Sequence, residues 1–158
     1  MPARSTAPYR FGDLLALARQ SWLGEMARRL AGLGYDDYRR SDSATMRLLL
    51  PGPLPVGKLG TYLGVTRQAA RKVADGLEQR GFAATGRDQR DARQLNVTLT
   101  PAGRDYARAV VTVIEELSSE VAERTDPAEL AAADAVLRAI MFDDSARQRA
   151  ERLPRPGR

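Results

Sequence analysis

The sequence predicts a mainly α-helical fold carrying one small β-hairpin, with long helices flanking a short middle segment. Three observations predict it. Apolar residues recur at helical spacing through most of the 158 residues, as in Leu14, Ala18, Trp22, Met26 and Leu30. The period switches once, to the alternation of "QLNVTLT" at 94–100. Turn and cap residues, such as "PGP" at 51–53 and "TDP" at 125–127, fall at the junctions of these segments.

The first ten residues contain two prolines and are expected to fray. Phe11 to Leu33 reads as a helix, punctuated by Gly32 and Gly34, and at 1.5 Å per residue it would run ~34 Å. Ser41 to Leu50 is a short helix with N-cap choices at Ser41, Asp42 and Ser43. Pro55 to Leu63 is a third, with Val56, Leu59 and Leu63 on one side and Gly64 just past its end. Thr66 caps the fourth, which runs to Arg80 and stops at Gly81. Phe82 to Arg87 and Gln94 to Thr100 are the strands of a hairpin, joined by the charged "DQRDAR". Thr100 and Pro101 then open a long amphipathic helix to about Arg124, striped by Ala107, Val110, Val111, Ile114, Leu117 and Val121. Ala128 to Phe142 is the last expected helix, and from Asp144 the chain is polar, arginine-rich and expected to be disordered at least in its last residues.

Composition excludes several chemistries. The chain has no cysteine and no histidine, which removes disulfides, thiolate metal sites, a cysteine nucleophile and the commonest general base. No carboxylate cluster stands at metal-ligand spacing, so neither an enzyme nor a cofactor is expected. Nothing approaches the roughly 18 continuous apolar residues of a membrane span, and charged residues interrupt the N-terminal apolar run. A soluble, cytoplasmic protein with no membrane partner is expected. Net charge is +5, unevenly spread: residues 54–104 hold 9 basic and 4 acidic side chains, whereas residues 105–158 hold 8 and 11. A basic middle is the footprint of a phosphate binder, although a solvated face would read the same on charge alone.

The middle segment decides between these. A short helix, a tight turn at Gly64-Val65-Thr66, a second helix and a hairpin make a helix-turn-helix followed by a wing. In the second helix Ala69, Ala70, Val73 and Leu77 fit the core side, while Arg67, Gln68, Arg71 and Lys72 gather on the other arc near its N-terminus. That end of a recognition helix enters the DNA major groove. Arg there pairs with guanine and Gln with adenine, and Thr66 reaches phosphate or base. The orphan N–H groups and dipole favour phosphate as well. The competing reading is a solubilising helix face.

The run "LGVTRQAARKVADGLEQRGFA…RDQRDARQLNVTLTPAGR" resembles the winged helix-turn-helix of MarR-type transcriptional regulators, closely from about Lys58 to Arg104. The resemblance rests on the Leu77…Arg80-Gly81 helix ending, the Asp91 and Arg93 pair and "LTPAG" at 99–103. It implies a homodimer built by the N-terminal and last two helices, a wing in the minor groove and, in many members, repression relieved by small aromatic or phenolic ligands. Matched by position, Thr66, Arg67, Gln68, Arg71 and Lys72 would meet the major groove and Arg90 the minor groove. Arg93 would either touch DNA or pair with Asp91, which shapes the wing. The division implied is an N-terminal dimerisation helix at 1–40, a winged helix-turn-helix at 41–100, C-terminal dimerisation helices at 101–145 and a flexible basic tail at 146–158.

Helix length argues for the dimer independently. Helices of ~34 Å or more overrun a core of this size, so their stripes need a self-complementary partner. Two recognition helices about one DNA turn apart would read an inverted-repeat operator in double-stranded DNA. Trp22, Met26, Tyr35, Tyr38, Met46 and Tyr62 could border a ligand pocket, although a Trp or Met stripe at helical spacing is more often plain core. The alternative function is a winged-helix protein-interaction module without ligand response or specific DNA binding.

Overall fold

In the computed structural model, which describes residues 10–87, 91 and 93–152, the elements run α1 (Phe11–Gly32), α2 (Asp42–Leu49), β1 (Leu54–Pro55), α3 (Val56–Leu63) and α4 (Arg67–Gln79). They continue with β2 (Ala83–Arg87), β3 (Leu95–Leu99), α5 (Pro101–Arg124), α6 (Pro127–Ala139) and α7 (Asp144–Arg152). The fold is mainly helical with one small sheet, as the periodicities predict. Residue 90 and both chain ends lie outside the described residues.

Local signals account for most boundaries. The Thr100 hydroxyl accepts from the Gly103 N–H at 3.0 Å with Pro101 in the first helical turn, which starts α5. Asp126 and Glu129 form a reciprocal capping box that starts α6. Gly81 takes φ +75 after α4, where left-handed backbone favours glycine, and the Phe82 N–H returns to the Leu77 carbonyl at 2.9 Å.

Three features depart from the sequence reading. The hairpin gains a third strand, because β1 pairs antiparallel with β3 through Leu54↔Val97 and Pro55↔Asn96, in the order β1-β3-β2. Two residues show no alternation, and a proline is tolerated there only because β1 is an edge. Helix α6 ends at Ala139, three residues before Phe142. The segment after Asp143 does not begin as an irregular tail: it forms α7, a polar helix without a buried residue.

The core lies where α1, α2, α4, the sheet and α5 meet. Met26, Leu30, Met46, Leu49, Leu59, Leu77, Val97, Tyr106 and Val110 are buried there. Only the second half of the α1 stripe enters it. Leu14 and Leu17 remain 61% and 60% exposed, and α6 buries nothing in this single chain. No helix among the described residues is long and apolar enough to cross a membrane.

Candidate nucleic-acid interface

The turn between α3 and α4 is built by small residues. Gly64 adopts φ +69, a left-handed conformation that favours glycine. A Cβ on Gly60 would stand 3.1 Å from the Val65 carbonyl oxygen and 3.4 Å from the Ala70 Cβ, so the two helices approach closely at this point. Thr66, in extended backbone, accepts the Ala69 N–H at 3.1 Å and caps α4. Its hydroxyl proton stays available to an acceptor.

Beyond the cap, α4 separates its faces cleanly. Ala70, Ala74 and Leu77 are buried, while Arg67, Gln68 and Lys72 are exposed. Neither Arg67 nor Lys72 has a carboxylate within ion-pair distance among the described residues. Arg71 differs, because its Nε donates to Asp75 Oδ1 at 2.6 Å. That pair engages Nε alone and holds the guanidinium along the helix face, since Asp75 lies one turn on.

The base of the wing folds onto the same region. The Asp91 carboxylate accepts the backbone N–H of Arg93 at 3.0 Å and the side-chain amide of Gln94 at 3.2 Å. Asp91 thus organises the strand approach through a backbone N–H, and the Arg93 side chain lines a groove instead. That groove, about 390 Å³, is bounded by Pro55, Lys58, Arg67, Arg93 and Gln94. Three cations from α3, α4 and the wing converge on one depression, a natural seat for a phosphate. Sequence reasoning missed Lys58, whose signal was its place in the first turn of α3, one helix away from the residues that join it. Arg90, assigned to the minor groove, lies outside the described residues.

Behind this surface is a polar knot that the sequence did not announce. Asp42, wholly buried at the start of α2, receives Arg80 Nη1 and Nη2 at 2.9 Å each, the Tyr106 hydroxyl at 2.7 Å and the Arg39 N–H at 3.0 Å. Arg80 also donates to the Asp37 carbonyl at 2.7 Å. The end of α4 is thereby tied to α2, to α5 and to the loop that leaves α1. Burial, and then the adjacent Asp42 carboxylate, push the Tyr106 phenol well above its ordinary pKa, so it stays a neutral donor. Glu78 of α4 adds a strap to the wing by accepting the Thr85 N–H at 3.1 Å. Arg80 was visible only as part of a helix ending, and the knot depends on partners 38 and 64 residues apart in sequence.

The proposed ligand-pocket residues do not converge. Met26 and Met46 are fully buried core, and Trp22 packs against that core. Tyr35 borders a cavity of about 280 Å³ with Asp37, Arg80, Phe82 and Tyr106, within a ring cluster whose Phe82–Tyr106 centroids are 4.4 Å apart. Tyr38 borders a different cavity, about 550 Å³, with Arg19 and Arg40. Tyr62 lies under the Arg152 guanidinium, 5.2 Å from its ring centroid.

Two helices joined by a tight turn, an antiparallel sheet directly after them and long helices on either side are the architecture of the winged helix-turn-helix class. The solved structures place it more narrowly: the chain has the fold of MarR-type regulators. Streptococcus pneumoniae FabT in complex with DNA aligns at TM-score 0.73 with 19% identity, over 83% of this chain and 92% of that one. The S. aureus MepR–DNA complex aligns at 0.72 with 17% identity, over 84% and 96%. Streptomyces coelicolor PcaV, bound to its natural ligand, aligns at 0.70 with 20% identity, over 89% and 96%. No family model matches the sequence, and no curated protein matches it.

Proposed function

We propose that this chain is a MarR-type transcriptional regulator that binds double-stranded DNA sequence-specifically as a homodimer. The observation that carries the reading is the convergence of Arg67, Arg93 and Lys58 on one groove beside the exposed Gln68 and Lys72 and the half-buried Arg71. No carboxylate is offered to Arg67 or Lys72 by the described fold, so both are free to meet an external polyanion and release its counterions. Similar folds solved on DNA support the same docking. The half-exposed stripe of α1 and the unburied α6 support the dimer, which would place two recognition helices on an inverted-repeat operator.

Repression relieved by a small aromatic or phenolic ligand completes the proposal. It is supported by the ring-lined cavity at Tyr35 and by the arginine-bordered cavity at Tyr38, and ligand-bound PcaV has a similar fold. The deciding experiment is a gel-shift titration of the DNA adjoining the protein's own gene. Arg71→Ala should weaken specific binding by about 1–3 kcal/mol while leaving binding to random duplex nearly intact. Equal affinities of variant and wild type for the operator would remove Arg71 from the interface.

A further inference from the structure

Helix α7 has no role in the fold described so far, buries none of its residues and still takes a defined position. It packs on α3 beside the turn that launches the recognition helix. The Arg149 guanidinium lies where a Gly64 side chain would stand, its Cζ 2.7 Å from the ideal Cβ position. Glycine is favoured at position 64 by the left-handed turn, and the Arg149 side chain rests in the space that its missing Cβ leaves. Two residues before Gly64, Tyr62 receives Arg152 over its ring at 5.2 Å, a cation–π contact.

We propose that α7 is a further duplex-contacting element, whose Arg149 and Arg152 hold DNA phosphates flanking those met by the recognition helix. The inference rests on the DNA-binding reading above. Lys58 and Tyr62 are four residues apart on α3 and so share one face. Lys58 borders the cationic groove at one end of that face, and Arg152 covers Tyr62 at the other, so the positive surface continues from the wing base to α7. Helix α7 itself holds three arginines against two carboxylates, Asp144 and Glu151. Asp144 pairs with Arg147, and neither Arg149 nor Arg152 has a carboxylate within ion-pair distance among the described residues. Among the described residues, Arg149 donates to a neutral hydroxyl, that of Ser145. The sequence beyond α7, "LPRPGR", adds two arginines and no acid. Two guanidiniums held against a helix-turn-helix turn without a counter-charge fit a polyanion backbone, which has phosphates spaced along that edge.

The test is a fluorescence-anisotropy titration of the full chain on a labelled 40-base-pair duplex of random sequence and on one adjoining its own gene, each over a salt series. Wild type, Arg71→Ala, the double variant Arg149→Ala/Arg152→Ala and the charge-preserving Arg149→Lys/Arg152→Lys are compared after circular dichroism confirms equal helicity. The double alanine variant should lose at least about fivefold in affinity on both duplexes and flatten the log–log salt slope by about 0.9 for each phosphate contact removed. The lysine pair should recover most of the slope. Arg71→Ala should lose affinity mainly on the specific duplex. Unchanged affinity and slope in the double alanine variant, with wild type binding normally, overturn the role of α7 alone. Tighter binding by that variant also overturns it and marks α7 as an obstacle to DNA. Wild type ignoring both duplexes overturns this inference and the DNA-binding reading together.

Discussion

Gly103 shows how much one hydrogen atom in place of a methyl can decide. A Cβ there would stand 1.7 Å from the Phe82 carbonyl oxygen, a backbone atom that cannot step aside without moving β2 or α5. The "LTPAG" run is thus three physical requirements in series: a cap at Thr100, a donor-less first turn at Pro101 and a close approach at Gly103. Gly103→Ala should cost about 3 kcal/mol or more, read as a lower urea midpoint at unchanged slope. At Asp42 the issue is charge. The Arg80 side chain is 10% exposed and Asp42 not at all, so Asp42→Ala strands a nearly buried guanidinium. A loss of about 3–5 kcal/mol is expected. Adding Arg80→Ala to Asp42→Ala should cost much less than the sum of the two single changes, because the pair acts as a unit. Additive losses in the same denaturation assay would refute the coupling.

Among the elements, α4 carries the opposing demands. Its inner face must pack on Gly60 and the sheet, while its outer face keeps cations in water. The Thr66 cap serves both by fixing the first turn from which Arg67 and Gln68 project. Thr66→Ala should lower stability by about 1 kcal/mol. It should weaken DNA binding by more than that cap energy alone when affinity is measured well below the melting temperature, because exposed Thr66 also stands at the end of α4 proposed to meet DNA. This helix was legible from sequence because its cap, its stripe and its Gly81 stop are all local signals. The sheet was legible only in part. The alternation of β3 announced a hairpin, but β1 is two residues long and exists only because β3 offers it an edge. Helix α7 was illegible for a similar reason, since a polar nine-residue helix has no apolar stripe and owes its position to α3.

For the molecule as a whole, α1 and α6 carry the apolar surface on which the proposed dimer depends. Met26 and Leu30 bury in the core, whereas Leu14, Leu17 and, at 87% exposed, Phe142 have nothing over them among the described residues. Arg29 pins the lower half of α1 to α5 through Glu120 at 2.7 Å, so the upper half projects from a fixed base. Leu17→Glu should leave helicity intact and raise the dimer dissociation constant by at least about a hundredfold, given ~1.5–3 kcal/mol for each buried leucine in a two-fold interface. Sedimentation equilibrium checks this, and an unchanged dimer would move the interface away from α1.

The sequence by itself determined the helical class, the order of the main helices, the turn at Gly64 and the cationic arc of α4, because periodicity, caps and charge spacing are written within a few residues of one another. Only the tertiary structure decided which residues share a site. It brought Lys58 to Arg67 and Arg93, closed Asp42 on Arg80 and Tyr106, placed Tyr35, Tyr38 and Tyr62 in separate surroundings, and set Arg149 against the turn. Those pairings join parts of the chain far apart in sequence, and each depends on how packed elements cross, which no local pattern records.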